Sequence, residues 1–208
     1  KLIYHSPTFG DEVRTFCMNP NGEVVQENYS GIATVNGHSY ANYKTPNTNF
    51  ALLVSEKFTE PFKEPIQYGQ HIARLANMLG GGILVQRFGD LLEGRRSTPE
   101  RIASSVITPT LTCATPGDLS LVIPYRQMTS IIEMLQALDK IAPGTASRYT
   151  LLYGIEVKFY SARVKLTQQL ETEGVKNLFT IGDGAGVTRG LLQASASGVY
   201  VARTICER

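Results

Sequence analysis

The sequence predicts an α+β fold, mainly antiparallel sheet with packed helices, and three observations carry the prediction. From Lys1 to about Phe58 the chain carries strand signals punctuated by Asn-Gly and Pro turn chemistry. Two later stretches switch to a helical period. The C-terminal part reads as one strand, a glycine-rich loop and a helix. The best boundary lies near residue 165, giving an α+β domain over 1–165 and a strand–loop–helix segment over 166–208.

Taken in order, residues 13–18 and 23–26 read as strands around the turn Asn19-Pro20-Asn21-Gly22. A second Asn-Gly, at Asn36-Gly37, predicts a tight hairpin between strands over 32–35 and 38–40. Phe50-Ala51-Leu52-Leu53-Val54 is a short apolar run suited to a central strand. Tyr68, Ile72, Leu75 and Leu79 then fall on one helical face, and Gly80-Gly81-Gly82 ends that helix. Ile83-Leu84-Val85 predicts a strand, and 90–96 and 99–105 predict short helices. Ser97-Thr98-Pro99-Glu100 fits a capping box, and Thr98 with Pro99 in the first helical position fits equally. Residues 108–124 read as a loop turning at Pro116-Gly117. A second long helix over 125–141 carries Met128, Ile131, Ile132, Leu135 and Leu138 on its apolar face, with Pro143-Gly144 as its stop. Alternation over 153–160 predicts a strand, and 163–166 another.

The stretch from Asn177 onward is the most informative. Asn177-Leu178-Phe179-Thr180-Ile181 predicts a buried strand, and Gly182-Asp183-Gly184-Ala185-Gly186 follows it. A helix beginning near Val187 would align Gly190, Ala194, Gly198 and Ala202 in one stripe. Glycine in a helix costs roughly 1 kcal/mol relative to alanine, so two of them imply a close approach by another backbone or by a cofactor. A purely structural turn needs fewer glycines than this loop holds, and a calcium loop needs spaced carboxylates, whereas Asp183 stands alone. A site for an anionic cofactor at the helix N-terminus and a plain turn both remain open on spacing.

Elsewhere the signals are weaker. Arg95-Arg96 reads as a solvated surface pair, with a clamp for a carboxylate or phosphate as the alternative. Cys17 reads as a core residue, and His38 and His71 as structural. No G-x-G-x-x-G and no Walker loop occurs in the sequence. The three cysteines are far apart, which argues against a disulfide framework and a metal site and suits the reducing cytoplasm. A net charge of +2 gives no reason to invoke nucleic acid, and no apolar run approaches the ~20 residues of a membrane span. Lys1-Leu2-Ile3-Tyr4-His5 reads as a strand already under way without an initiator Met, so a piece of a longer polypeptide is expected.

Leu178-Phe179-Thr180-Ile181-Gly182-Asp183 resembles the C-terminal flavin-contacting segment of FAD-dependent oxidoreductases with the glutathione-reductase type of FAD fold. Five further segments carry a more specific resemblance: 14–20 (Arg-Thr-Phe-Cys-Met-Asn-Pro), 34–42, 114–120, 182–191 and 193–198. Together they resemble the C-terminal half of the bacterial and archaeal "NAD(FAD)-utilising dehydrogenase" family. The resemblance implies FAD contacts from Gly182, Asp183, Gly184, Gly186, Val187, Thr188, Arg189 and Gly190, with Asp183 accepting a bond from the ribityl chain. It implies that this segment completes an FAD-binding domain whose N-terminal, pyrophosphate-binding part lies elsewhere in the same polypeptide. Cys17 would then be a candidate redox thiol near the flavin. A small-molecule substrate and NAD(P)H as candidate donor are left open, and no catalytic residue is marked. The competing expectation is a non-catalytic ligand-binding or protein-interaction module.

Overall fold

The computed structural model describes residues 1–158 and 163–207. They form a mixed α+β structure with antiparallel sheets, in two compact units, Lys1–Val157 and Lys158–Arg208. The division falls ahead of the boundary expected near 165.

The first unit holds three small sheets. Strands β1 (Ile3–His5), β2 (Glu12–Asn19) and β5 (Asn49–Val54) pair antiparallel in the order β1-β2-β5. Alternation along β2 buries Val13 and Thr15, and Val13 packs with Met134 and Leu138 of the helix α4 (Tyr125–Asp139). Arg126 of α4 grips Asp11 through Nε at 2.7 Å, which holds that carboxyl below its usual range and anchors the β1–β2 connection to the helix.

Strands β3 (Glu23–Tyr29) and β4 (Ile32–His38) form a hairpin, but not around Asn36-Gly37. The turn is Ser30-Gly31, with φ of 52° and 83°, the two left-handed residues that a tight hairpin of this twist requires. Asn28 Oδ1 accepts from Gly31 N–H at 2.8 Å and closes it. Asn36-Gly37 instead continues β4. A Cβ at Gly37 would run into the side chains of Asn49 and Asn19, so glycine serves close approach there. The outer edge of β4 is satisfied by Asn77, whose amide accepts from Ala33 N–H at 2.8 Å and donates to Ala33 C=O at 2.9 Å.

Asn77 belongs to α1 (Pro65–Gly80), which starts with Pro at its first position and stops at Gly81 with φ 66°. Ala73 and Ala76 are its fully buried residues, with Ile72 and Leu75 beside them; Leu79 of the expected face is 45% exposed. Strand β6 (Leu84–Arg87) follows and is wholly buried, including Gln86 and Arg87. It pairs parallel with β7 (Thr115–Pro116) and antiparallel with β8 (Leu151–Gly154). Leu84, Phe88, Leu119, Met128 and Leu135 make the main core around it, each fully buried apolar side chain contributing about 1.5–3 kcal/mol. Short helices α2 (Phe88–Leu92) and α3 (Pro99–Ala103) lead away from β6. Thr98, not Ser97, caps α3: its Oγ1 accepts from Arg101 N–H, and Pro99 stands at the first helical position.

In the second unit the strand expected over 177–181 does not form. Phe179 makes one isolated bridge to Glu171, and Leu166 another to Thr172, which is all that remains of the strand expected over 163–166. A strand needs a neighbour along its length, and the described residues of this unit supply only that short pinned loop. Leu178 and Ile181 are accordingly 47% and 45% exposed. The strand expected over 153–160 ends as β8 at Gly154, and its residues 159 and 160 lie outside the described ones. A 3₁₀ turn at Asp183–Ala185 and the helix α5 (Leu191–Cys206) complete the unit.

Candidate functional site

Two places concentrate polar groups, one in each unit. In the second unit, α5 begins at Leu191 and not near Val187, one turn later than the residue pattern implies. Gly190 is therefore the residue before the helix, and only Gly198 sits inside it. Gly182 and Gly186 have φ of 72° and 70°, a region that glycine enters without steric cost. Gly182 N–H donates to Ser197 Oγ at 3.0 Å, and Ser197 Oγ donates to Ala194 C=O at 2.7 Å. A Cβ at Gly182 would lie 3.8 Å from Ala194 Cβ, and one at Gly198 would lie 3.7 Å from Ile181 Cδ1. The small residues of α5 thus let the backbone at 181–182 lie against the helix, and Ala202 stays exposed.

Asp183 is exposed and braces the return of the loop into α5. Its Oδ1 accepts from Thr188 Oγ1 at 2.5 Å and from Gly190 N–H at 3.3 Å. Val187 and Thr188 are half-buried and Arg189 is exposed. No side chain caps α5, so the N–H groups of its first turn are the unsatisfied donors that favour negative charge. The eight residues singled out from the sequence thus share one loop, and Asp183, Thr188 and Gly190 touch one another.

In the first unit, Asp90 is completely buried and accepts four hydrogen bonds. Arg87 donates twice, from Nε at 2.9 Å and Nη2 at 3.0 Å, Arg95 Nε donates at 3.0 Å, and Ser97 Oγ at 2.7 Å. Burial by itself pushes the Asp90 carboxyl up, but the bonds from Arg87, Ser97 and Arg95 and the charge of Arg87 outweigh it and hold the group well below the carboxylate range. Arg95 also pairs with Glu93. The reading of Arg95-Arg96 as a solvated pair is therefore wrong for Arg95, which belongs to a buried network, and holds for Arg96, which is exposed. The signal that could have revealed this was Arg87-x-x-Asp90 immediately after an apolar run, since charges continuing a buried strand need partners.

Gln86, also fully buried, spans two loops. Its Nε2 donates to Arg95 C=O at 2.8 Å, and its Oε1 accepts from Leu119 N–H at 2.8 Å. Between those loops lies an open cavity of about 420 Å³ whose lining includes Leu84, Arg96, Thr115, Gly117 and Asp118. Cys17 is exposed, at a register break in β2 with φ 44°, so the core reading fails for it. His38 and His71 are exposed, His38 stacking on Tyr40 with centroids 5.9 Å apart. Among the described residues no cluster of His, Cys, Asp and Glu could hold a metal ion, and no helix is long and apolar enough to cross a membrane.

Comparison with known proteins agrees with the resemblance to an uncharacterised FAD-dependent family. A protein described as "Uncharacterized protein" from Clostridium beijerinckii is 32% identical over 220 aligned residues, which take in all of this chain. The chain spans 40% of that relative's length. The family "FAD-dependent protein, C-terminal domain-like" matches residues 1–159, which take in all of the first unit, the Asp90 network and the cavity; the glycine loop at 182–190 lies beyond the matched residues. With most of the chain matched, this protein belongs to the family of FAD-dependent proteins, as a C-terminal domain of that family.

Proposed function

We propose that the chain is the C-terminal part of an FAD-dependent oxidoreductase, a dehydrogenase. The first unit forms the substrate side, and the second completes an FAD-binding domain of glutathione-reductase type. The family match over 1–159 is the observation that carries this reading. The longer relative supports a further FAD-binding portion of the same polypeptide as the partner of this chain. The glycine loop then supplies the flavin contacts through Gly182, Asp183, Gly184, Gly186, Val187, Thr188, Arg189 and Gly190.

The loop fits such a cofactor by one test. Gly182 and Gly186 are needed for their backbone conformation, but Gly184 is not: its φ lies outside the left-handed region, and a Cβ there would meet nothing within 4 Å. No neighbour among the described residues calls for a glycine at 184, whereas a group approaching from outside would. Leu191 and Leu192, at 91% and 80% exposure, are surfaces for the rest of the polypeptide to cover. Bound FAD would supply the redox chemistry. The chain's own part is to accept a ribityl hydrogen bond on Asp183, to present the N–H groups of the first turn of α5, and to hold the loop through Ser197. Exposed thiols at Cys17, Cys113 and Cys206 suit the cytoplasm, where thiols stay reduced. Visible flavin absorbance in the purified full-length polypeptide tests the reading; a colourless protein that takes up no added FAD would refute it.

A further inference from the structure

We propose that the outward face of α5 docks on the portion of the polypeptide outside this chain, and that this contact supplies the stability the second unit lacks by itself. Three observations lead there. The first is the composition of the helix. Ser197 and Val201 are its buried residues. By helical spacing Leu192 and Val199 stand on the opposite side, at 80% and 53% exposure. Ala196 and Ala202 are exposed as well, and Arg203 is the one charged residue of α5. A surface helix carries charged and polar residues on its outer face, whereas one that is apolar nearly all round belongs in an interior.

The second observation is how little this unit buries. Among its described residues, Val201 is the one buried apolar side chain larger than alanine. Val175, Leu178, Ile181 and Ile205 are each about half exposed. The three clusters of buried apolar side chains all lie in the first unit. Burying a single valine offsets the backbone ordering of about one or two residues, and this unit has several dozen to order. Elements with so few buried apolar contacts open readily.

The third observation identifies the cover. The longer relative aligns with all of this chain, the second unit included, yet the chain spans only 40% of that relative. The greater part of such a polypeptide lies outside the aligned residues, which is ample to bury one helix face. With a single positive charge, this face offers no charge pattern for an acidic or basic partner to match; an apolar surface of the same polypeptide fits it. The contact reaches the glycine loop too. Gly182 N–H donates to Ser197 Oγ at 3.0 Å, and Ala194 and Gly198 lie close to Gly182 and Ile181. Fixing α5 therefore fixes the start of loop 182–190.

The inference rests on the reading of the chain as part of a longer polypeptide, and not on the flavin. The test is hydrogen exchange read by mass spectrometry, on the 208-residue chain and on the full-length polypeptide, as purified and after stripping of any flavin. Amides of 199–205 should exchange at least about a hundredfold more slowly in the full-length polypeptide, stripped or not, while those of β6 differ by less than about threefold. Leu192→Glu combined with Val199→Glu, at positions exposed in this chain, should speed exchange of 199–205 at least about tenfold in the full-length polypeptide and leave the 208-residue chain unchanged. Equal exchange of α5 in the two polypeptides, or indifference of the full-length one to the double substitution, would overturn the proposal. So would protection lost on stripping, which assigns the cover to the cofactor. Protection in the 208-residue chain that rises with its own concentration would overturn it as well, by assigning the face to a second copy. Protection of α5 in a full-length polypeptide that takes up no FAD upholds the docking and defeats the flavin reading alone; bound FAD beside an unprotected α5 does the reverse.

Discussion

Removing the Asp90 carboxylate should unfasten the first unit more than any surface change near it. Asp90→Ala leaves Arg87, 7% exposed, without its bidentate partner and strips Arg95 Nε and Ser97 Oγ of their acceptor. Breaking one side of a buried ion pair costs about 3–5 kcal/mol, a large share of the 5–15 kcal/mol by which a domain is typically stable. The assay is native-state amide hydrogen exchange at β6, which reports the opening of this unit rather than of the whole chain. Exchange at Leu84–Arg87 should accelerate by roughly two to four powers of ten, about 1.4 kcal/mol per power, whereas Arg96→Ala should change it little. The same carboxylate predicts an acid sensitivity with a definite sign. Its folded pKa lies below its unfolded one, so the stability it contributes is fully present above the unfolded value of about 4. That stability shrinks as the pH falls from there toward the folded value. A cost below about 1 kcal/mol for Asp90→Ala would refute the argument, because one ordinary neutral hydrogen bond would account for it.

Two further outcomes follow from the glycine loop. The 208-residue chain alone should bind FAD weakly, because no G-x-G-x-x-G occurs in it and pyrophosphate contacts supply much of the affinity in dinucleotide folds; calorimetric titration giving a low-micromolar Kd would contradict this. Gly184→Val in the full-length polypeptide should expel flavin or lower its reduction potential while the isolated chain keeps its fold, since none of the described residues comes within 4 Å of the new Cβ. The same change at Gly186 is a poorer probe, because φ of 70° strains any side chain there whatever the cofactor does.

Much of the fold was legible because periodicity is a local property. The two long helices of the first unit declared themselves by apolar spacing and by their Gly or Pro stops, and β5 and β6 by short apolar runs. What stayed illegible depended on partners distant in sequence. Asn36-Gly37 has the composition of a hairpin turn, yet its glycine admits the side chains of Asn49 and Asn19, which no local pattern announces. Residues 177–181 have the composition of a strand, and only a neighbouring strand could make them one. The candidate sites divide in the same way. Loop 182–190 was visible as a glycine cluster, although the role of Asp183 in tying Thr188 and Gly190 was not. Arg95 was misjudged because its partner Asp90 is reached only once β6 has turned into α2.

The central claim, that loop 182–190 faces a flavin, is tested most directly by flavin retention in full-length Asp183→Ala. A charge-assisted bond to a ribityl hydroxyl is worth roughly 1.5–3 kcal/mol, and the substitution also releases Thr188 and Gly190 N–H from their acceptor. Measured by absorbance after exhaustive dialysis, against wild type and with circular dichroism to verify the fold, the variant should hold FAD at least tenfold more weakly. A correctly folded Asp183→Ala protein that keeps its full flavin complement would contradict the account.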